Sequence, residues 1–275
     1  MHNKLIKHGV LALVLAAAAG GASAHRPWMV PTSTLVENKN AWVTIDGAIS
    51  EGLFDVDHMP LRMNGLTVTA PDGTTSAAPE AVMGKMRSSV DIPLPQEGTY
   101  RIALVSTNVF GSYKDGAEVK RFRGSEADFA KQVPAGATEV KKTITAQRIE
   151  TFVSAHKTSD GALKPTNAGL EMIPLSNPND LRSGETLRVR FLLDGKPLPK
   201  LDFSMVPGGV RYRGVLGEVR QTTDAKGEAS IKLPAPNMYW VNAVYPPSPG
   251  KGAPPSDAPE TRRYAYTGSL EILPE

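Results

Sequence analysis

The run Gly98-Thr99-Tyr100-Arg101-Ile102-Ala103-Leu104-Val105-Ser106 predicts a β-strand, because β-branched, aromatic and aliphatic residues fill it and a Pro-Gln-Glu-Gly turn leads into it. Two earlier runs, residues 41–46 and 66–70, have the same character, and the second ends at the turn Pro71-Asp72-Gly73-Thr74. The 25 glycines and 23 prolines cut the rest of the chain into similar short runs. Since no helical pattern separates these strands, they predict a β-sandwich rather than a parallel sheet.

A second block of strands is predicted in the last third of the chain. Its runs cover residues 185–193, 238–244 and 263–272. Residues 219–223 and 228–233 flank the turn Asp224-Ala225-Lys226-Gly227, and this pattern predicts a hairpin. Each block has about the length of one immunoglobulin-sized sandwich. We therefore expect an all-β fold with two immunoglobulin-like or transthyretin-like β-sandwich domains and little helix.

The domain limits follow from this division. We assign residues 1–24 to a signal peptide, 25–113 to an N-terminal β-sandwich, 114–165 to a polar connecting segment and 166–275 to a C-terminal β-sandwich. Within the connecting segment, Ser125-Glu126-Ala127-Asp128 resembles a capping box and predicts a short helix. Residues 143–155 alternate as a strand does. Trp28 and Trp42 are interpreted as core residues.

The first 24 residues have the pattern of a cleaved export signal. Lys4 and Lys7 give a positive start, residues 10–18 form a short apolar run, and Ala22-Ser23-Ala24 is a small-residue cleavage site. The apolar run is shorter than the ~20 residues that a membrane-spanning helix needs, although an N-terminal membrane anchor is the alternative. We expect a periplasmic protein whose mature chain begins at His25.

Charge and cysteine content exclude several classes of function. Without Lys4 and Lys7, the chain has 29 basic against 28 acidic residues, so we expect no nucleic-acid partner. Three short basic clusters (Lys120-Arg121-Arg123, Lys141-Lys142 and Arg262-Arg263) are interpreted as solvated surface. The absence of cysteine excludes disulfides, thiolate ligands and a cysteine nucleophile. No Gly-x-Ser-x-Gly motif or phosphate-binding glycine loop is present, and we do not expect an enzyme.

A metal site is indicated by the residue at the predicted cleavage point. A chain that begins at His25 offers its α-amine and the ring Nδ1 of His25 to the same ion, and nitrogen ligands suit Cu(II) or Ni(II), and Co(II) or Zn less specifically. The amine has an ordinary pKa of about 8 and binds only after losing its proton. Pro27 has no backbone N–H, which blocks a chelate through successive backbone nitrogens. The site therefore needs ligands from elsewhere in the chain.

Two further histidines remain after cleavage, His58 and His156. His58 is the stronger candidate because it lies in Phe54-Asp55-Val56-Asp57-His58-Met59-Pro60, where Asp55 or Asp57 could orient the imidazole or bind the ion directly. The alternative is a solvated loop histidine among acidic turn residues. His156 is the weaker candidate, because the neighbouring Lys157 would repel a cation, and an exposed loop histidine is the alternative there too.

The chain resembles the DUF4198 family at both ends. The start Ala24-His25-Arg26-Pro27-Trp28 is similar to the family's Ala-His-x-x-Trp, and residues 221–234 followed by Met238-Tyr239-Trp240-Val241-Asn242-Ala243 are similar to its Thr-Asp-x-x-Gly, strand, Tyr-x-x-x-Ala ending. This resemblance implies a periplasmic β-sandwich protein that binds nickel or cobalt near its N-terminus and serves an inner-membrane metal transporter. By this resemblance His25 corresponds to the family's leading histidine. His58 corresponds to the histidine of a glycine–histidine pair that family members often have, although here Asp57 takes the place of the glycine.

The expected function is accordingly a non-enzymatic binder of a divalent transition-metal ion (Ni, Co or Cu) that supports metal uptake. One alternative is a β-sandwich adhesion or carbohydrate-binding module without a metal. A copper enzyme that cleaves polysaccharides oxidatively also combines an N-terminal histidine with a second histidine on a β-sandwich. It would need a flat aromatic substrate face, and only 6% of this chain is aromatic.

Overall fold

Three β-sheets and very little helix make up the protein, in a computed structural model that describes residues 25–232, 235–247 and 258–275. The strands of the first half are β1 (Arg26–Pro31), β2 (Leu35–Val36), β3 (Trp42–Ser50), β4 (Met59–Pro60), β5 (Leu66–Thr69), β6 (Thr75–Ala77), β7 (Val82–Met83), β8 (Ser88–Pro93), β9 (Gly98–Asp115) and β10 (Glu118–Gly124). The later strands are β11 (Thr138–Ala155), β12 (Leu170–Pro174), β13 (Thr186–Leu193), β14 (Lys196–Pro197), β15 (Asp202–Pro207), β16 (Val219–Thr222), β17 (Glu228–Lys232), β18 (Asn237–Tyr245) and β19 (Glu260–Ile272). The helices are α1 (Glu126–Gln132) and α2 (Val210–Arg213), with a 3₁₀ turn at Gly161–Leu163.

The strands are distributed over one large and two small sheets. The large sheet has ten strands in the order β16-β15-β18-β19-β11-β9-β5-β6, with β10 on β9 and β2 on β11. One small sheet has the order β1-β3-β8-β7, with β4 on β3, and the other has the order β12-β13-β14, with β17 on β13. The predicted all-β sandwich fold with little helix is confirmed. The predicted signal peptide lies outside the described residues.

The two small sheets pack on opposite faces of the large one, and β11 contributes to both cores. Alternate residues of a strand point to opposite faces. Val153 is buried with Met29 and Ile45 of the first small sheet, whereas Phe152 is buried with Phe191 of the second. The large sheet is therefore shared by two sandwiches.

The segment expected to connect the sandwiches holds both predicted elements. Helix α1 begins after Ser125, whose hydroxyl accepts from Asp128 N at 3.1 Å while the Asp128 carboxylate accepts from Ser125 N. The Ser125 hydroxyl also donates to the Asp128 carboxylate at 2.6 Å, and this hydrogen bond, together with the one from Ser125 N, lowers the pKa of Asp128. All of β11 lies in this segment as well, and residue 113 falls inside β9. The domain limits stay a prediction.

Part of the large sheet has a small core of its own and is called the arm below: residues 106–115 of β9, strand β10, helix α1, residues 138–147 of β11 and residues 260–265 of β19. Helix α1 packs on one face of the arm, where Phe129 joins a small core of Val109, Phe122 and Ile144. Gly111 is required here, because a Cβ would lie 3.0 Å from the Phe129 ring and 2.8 Å from the carbonyl oxygen of Lys141.

Two local predictions are wrong. Trp28 is buried as expected, but Trp42 is 56% exposed, because it begins β3 on the outer face of its sheet. The predicted hairpin around residues 224–227 is not a hairpin: β16 pairs with β15 in the large sheet, and β17 pairs with β13 in a small one. The buried hydroxyl of Thr223 donates to Leu198 O and accepts from Leu201 N, so the chain is held between the two sheets at this point.

No helix of the described residues is long and apolar enough to cross a bilayer.

Candidate functional site

The end of β3 brings together the two histidines that the sequence singled out. Strand β1 pairs with β3 so that Arg26 lies opposite Ser50, which places His25 at this end of the strand. Strand β4 pairs with the same end of β3, and His58 directly precedes it. The two imidazole rings lie parallel, with centroids 3.8 Å apart and an interplanar angle of 8°. Both residues are exposed.

Two buried tryptophans hold β1 in place next to His25. The indole nitrogen of Trp28 donates to Ser50 Oγ at 2.7 Å, and this hydroxyl donates to Gly52 O at 2.7 Å. The indole nitrogen of Trp240, on β18 of the large sheet, donates to Pro27 O at 3.0 Å. Both rings belong to one apolar cluster that also contains Leu53. His25 is thus the residue next to a firmly anchored strand.

The two aspartates of the predicted site stabilise the loop that carries His58. Both carboxylate oxygens of Asp57 accept backbone hydrogen bonds, from Glu51 N at 3.0 Å and Gly52 N at 2.7 Å. Asp55 forms an ion pair with Arg211 of α2 at 3.4 Å. A side chain at Gly52 would collide with both carboxylates. The Asp57 carboxylate has its partners in the loop and the Asp55 carboxylate has its partner on α2, so we assign both aspartates to positioning His58 rather than to direct contact with an ion.

Glu51 is a neighbour of the histidine pair that the sequence did not reveal. Its carboxylate Oε1 lies 3.7 Å from Nε2 of His25. A carboxylate beside an imidazole fixes the orientation of the ring and the position of its proton. The β1–β3 register places Glu51 here, and that register was not visible in the sequence.

His156 lies away from this site. Its backbone nitrogen donates to Val36 O of β2 at 2.9 Å, beyond the end of β1 that is distant from His25. Because β1 has six residues, about 20 Å of extended strand separates the two positions. The structure brings His25 and His58 together and leaves His156 out.

The stacked arrangement of the histidines is not itself a metal geometry. An imidazole binds an ion through a lone pair in the plane of its ring, at about 2.0–2.1 Å. Parallel rings 3.8 Å apart cannot both reach one ion in this way. One ring has to turn, and with 45% of the His25 side chain exposed there is room for it to do so. Within the described residues, no cluster of three or more His, Cys, Asp or Glu side chains is arranged to hold a metal.

A second group of ionisable residues is buried in the large sheet. The Tyr266 hydroxyl donates to Glu150 Oε1 at 2.9 Å, and Arg148 lies 3.6 Å from the other oxygen of Glu150. Burial raises the pKa of Glu150, although Arg148 and Arg101 oppose this rise. Burial and the Glu150 carboxylate also raise the pKa of Tyr266. These side chains are almost completely buried, and we assign them to the core rather than to a site.

Several solved structures are distantly similar to this chain. The D0–D1 domain of intimin is 10% identical, with a TM-score of 0.22, over 89% of this chain and 97% of that one. A DUF4785 family protein from Legionella pneumophila is 9% identical, with a TM-score of 0.26, over 81% of this chain and 52% of that one. The FN1–FN3 domains of chicken CNTN1 are 8% identical, with a TM-score of 0.23, over 90% and 99%. Likeness at this level says nothing about function.

Sequence comparison is more specific. None of the curated proteins matches the chain. A profile of DUF4198, a domain of unknown function, matches residues 22–246, which include the predicted cleavage site, both histidines of the pair and strand β18. The chain belongs to the DUF4198 family.

Proposed function

We propose that the protein is a periplasmic, non-enzymatic binder of a divalent transition-metal ion (nickel, cobalt or copper), and that it supports metal uptake by an inner-membrane transporter. The observation that carries this proposal is the meeting of the His25 and His58 rings at the end of β3. Export and cleavage after Ala24, which lies outside the described residues, would add the α-amine of His25 to this pair.

The proposed ligand set consists of three nitrogen atoms. The amine and Nδ1 of His25 close a chelate ring on the ion, and a rotated His58 imidazole supplies the third nitrogen. Amine and imidazole donors favour Cu(II) or Ni(II) in a tetragonal arrangement. Glu51, whose carboxylate lies 3.7 Å from His25 Nε2, would accept a hydrogen bond from that nitrogen after a small movement of either side chain, while Nδ1 binds the ion.

The surroundings of the pair support binding rather than a chance contact between exposed side chains. The indole nitrogens of Trp28 and Trp240 fix β1, and Asp57 fixes the turn of the 51–58 loop. A site whose ligands are already in place loses less conformational entropy when it binds. Because the backbone of β1 and of the loop is fixed, rotation of the His58 side chain is the only movement that the proposed site requires.

Titration of Ni(II) into two forms of the protein tests the chelate. One form begins at His25, and the other has a single glycine ahead of it, which moves the amine away from Nδ1. We expect the added glycine to weaken binding by more than about tenfold, since loss of even an outer partner of a metal ligand costs about 10- to 100-fold. Equal affinities of the two forms would refute the chelate.

Histidine variants test the third ligand with a matched control. We expect His58→Ala to weaken Ni(II) binding, and His156→Ala to leave it unchanged, because His156 lies at the far end of β1. If the two variants behave alike, His58 is not a ligand.

Elemental analysis of protein isolated from periplasm identifies the metal. Affinity in vitro does not, because most nitrogen sites bind copper more tightly than nickel or cobalt. Protein that retains no first-row metal would favour the β-sandwich binding or adhesion module instead.

A further inference from the structure

The outer face of the first small sheet carries an exposed tryptophan. Trp42 is 56% exposed, although tryptophan is highly buried on average in folded proteins. Val43 and Ile45 of the same strand are buried in the core between the sheets. Because successive side chains of a strand point to opposite faces, Trp42 is turned away from that core. The register of β3 therefore holds a large aromatic ring at the surface.

Polar side chains of β3 and β8 continue from Trp42 along the same face. Residues that pair directly, and residues two apart on one strand, share a face of the sheet. Thr44 pairs with Asp91, and Asp46 pairs with Ser89. This part of the outer face is called the platform below, and it consists of Trp42, Thr44 and Asp46 of β3 with Ser89, Asp91 and Pro93 of β8.

Hydrogen bonds hold the polar side chains of the platform in place. Thr44 Oγ1 donates to Asp91 Oδ1 at 2.6 Å, and Ser89 Oγ donates to Asp46 Oδ1. Arg87 Nη1 lies 3.5 Å from Oδ2 of Asp46. A carboxylate has about four acceptor positions, so both aspartates can accept further hydrogen bonds. Side chains that are already positioned lose less conformational entropy when they bind a ligand.

The platform is elongated and has an apolar side chain at each end. Trp42 and Asp46 are four residues apart, which is about 14 Å along an extended strand. Val82 of β7 pairs with Ser89 and is 77% exposed. The surface therefore offers an indole, then a row of hydrogen-bonding groups, then an aliphatic side chain. This order suits a chain-like ligand whose units are apolar on their faces and polar at their edges.

We propose that the platform binds a neutral oligosaccharide of β-linked pyranose rings. The C–H bonds on one face of such a ring carry a slight positive charge, which the negative π face of an indole attracts. The hydroxyl groups at the edge of the ring donate to carboxylates, and hydrogen bonds to charged acceptors are the stronger ones. A β-linked chain of glucose or N-acetylglucosamine is extended and nearly flat, so it can lie along a sheet face.

The same chemistry disfavours other ligands. The carboxylates of Asp46 and Asp91 repel polyanions such as nucleic acids and anionic lipid surfaces. Small apolar molecules bind in concave sites that enclose most of their surface, and the platform is a sheet face. The other occupant to test is a second copy of this chain that covers Trp42.

Fluorescence of the mature, metal-free protein tests the proposal. The chain has three tryptophans, and Trp28 and Trp240 are buried, so quenching by acrylamide reports mainly on Trp42. We expect at least one of two β-linked probes, cellotetraose and chitotetraose, to protect Trp42 from acrylamide in a saturable way. Maltotetraose, whose α-linkages coil the chain, should protect it much less. Absence of protection by both β-linked sugars, or equal protection by maltotetraose, would overturn the proposal.

Variants measured by isothermal titration calorimetry locate the bound sugar. Trp42→Ala should weaken binding roughly tenfold or more, whereas Tyr212→Ala, which removes another exposed aromatic ring, should leave it unchanged. Asp91→Ala should weaken binding, whereas Asp202→Ala should not. Asp202 is a matched control because it accepts the same kind of cross-strand hydrogen bond, from Thr222 Oγ1 at 2.6 Å, in the large sheet. If a platform variant binds as its control does, the platform is not the site.

A conservative variant separates the binding role of Trp42 from a structural one. Trp42→Phe keeps an aromatic ring and should bind more tightly than Trp42→Ala, with unchanged far-UV circular dichroism spectra for both variants. Equal binding by these two variants would contradict stacking of the sugar on the ring.

Self-association would give a different result. Without sugar, Trp42 would become less accessible to acrylamide as the protein concentration rises, and Trp42→Ala would lower the mass measured by sedimentation. This outcome would overturn the proposal in favour of an interface between two copies. The results are independent of the metal site, because the protein is metal-free and Trp42 lies at the opposite end of β3 from His25 and His58.

Discussion

Replacement of Ser50 by alanine should destabilise the protein and weaken metal binding together. Ser50 is fully buried, and its hydroxyl makes two hydrogen bonds of 2.7 Å, one from the Trp28 indole and one to Gly52 O. Alanine leaves a buried indole N–H without an acceptor, which costs about 1–3 kcal/mol. We expect Ser50→Ala to lower the free energy of unfolding by about 2 kcal/mol, which is a large part of the stability of an ordinary domain.

A double-mutant cycle shows whether this loss comes from the indole. Trp28→Phe removes the N–H, and in that background Ser50→Ala leaves no indole donor unpaired. The unfolding free energies of the four proteins, measured by urea denaturation without metal, should give a coupling energy of about 1–2 kcal/mol between the two positions. Additive losses would refute the reasoning, because they would mean that the hydrogen bond does not determine the cost.

The Ni(II) affinity of Ser50→Ala is a second, independent measurement of what this substitution does. Gly52 lies in the 51–58 loop that carries His58, and Ser50 connects this loop to Trp28 of β1. In Ser50→Ala we expect Ni(II) affinity to fall while the glycine-extended form, which lacks the chelate, changes little. A variant that loses stability but keeps its Ni(II) affinity would show that the anchor does not position the ligands.

Three further substitutions test the core and the arm. Tyr266→Phe leaves Glu150 Oε1 without its 2.9 Å hydrogen bond, so we expect a loss of about 2 kcal/mol in urea denaturation; an unchanged midpoint would contradict this. Because burial raises the folded-state pKa of Glu150, the folded protein holds this proton more firmly than the unfolded chain, and stability from this group falls as pH rises from the ordinary value of 4.5 through the raised one. In Glu150→Gln this contribution to the pH dependence should be absent when the free energy of unfolding is measured across that pH range. An unchanged slope of the unfolding free energy against pH would contradict the assignment to Glu150. Gly111→Val drives a side chain into Phe129 and should undock α1, at about 1–3 kcal/mol, with faster proteolysis of the arm as the visible result; resistance equal to the parent would mean that α1 adjusts.

The local elements of the fold were predictable, but their arrangement was not. The alternation around residues 98–106 and 143–155 predicted strands, and both exist as parts of β9 and β11. The parallel pairing of β11 with β19 joins segments more than a hundred residues apart, and nothing local marks it. The wrong hairpin at residues 224–227 has the same origin, because a turn does not show which sheet its two strands enter.

The histidine site was predictable from chemistry only in part. His25 and His58 were paired because few nitrogen ligands are present in the sequence, and the structure places their rings together. Glu51 was missed because its closeness to His25 depends on the β1–β3 register. The roles of Asp55 and Asp57 also required the structure. The sequence does not show whether an aspartate accepts backbone hydrogen bonds, as Asp57 does, or binds an ion.

The position of β19 determines when this protein can fold. In the large sheet β19 lies between β11 and β18, and it follows both of them in the chain. Until β19 has been synthesised and has left any translocation channel, the edges of β11 and β18 that pair with it remain unpaired. Unpaired edges of this kind invite pairing with other chains, and long-range pairing of strands is slow. A product that stops before Glu260 should therefore aggregate instead of forming two independent sandwiches.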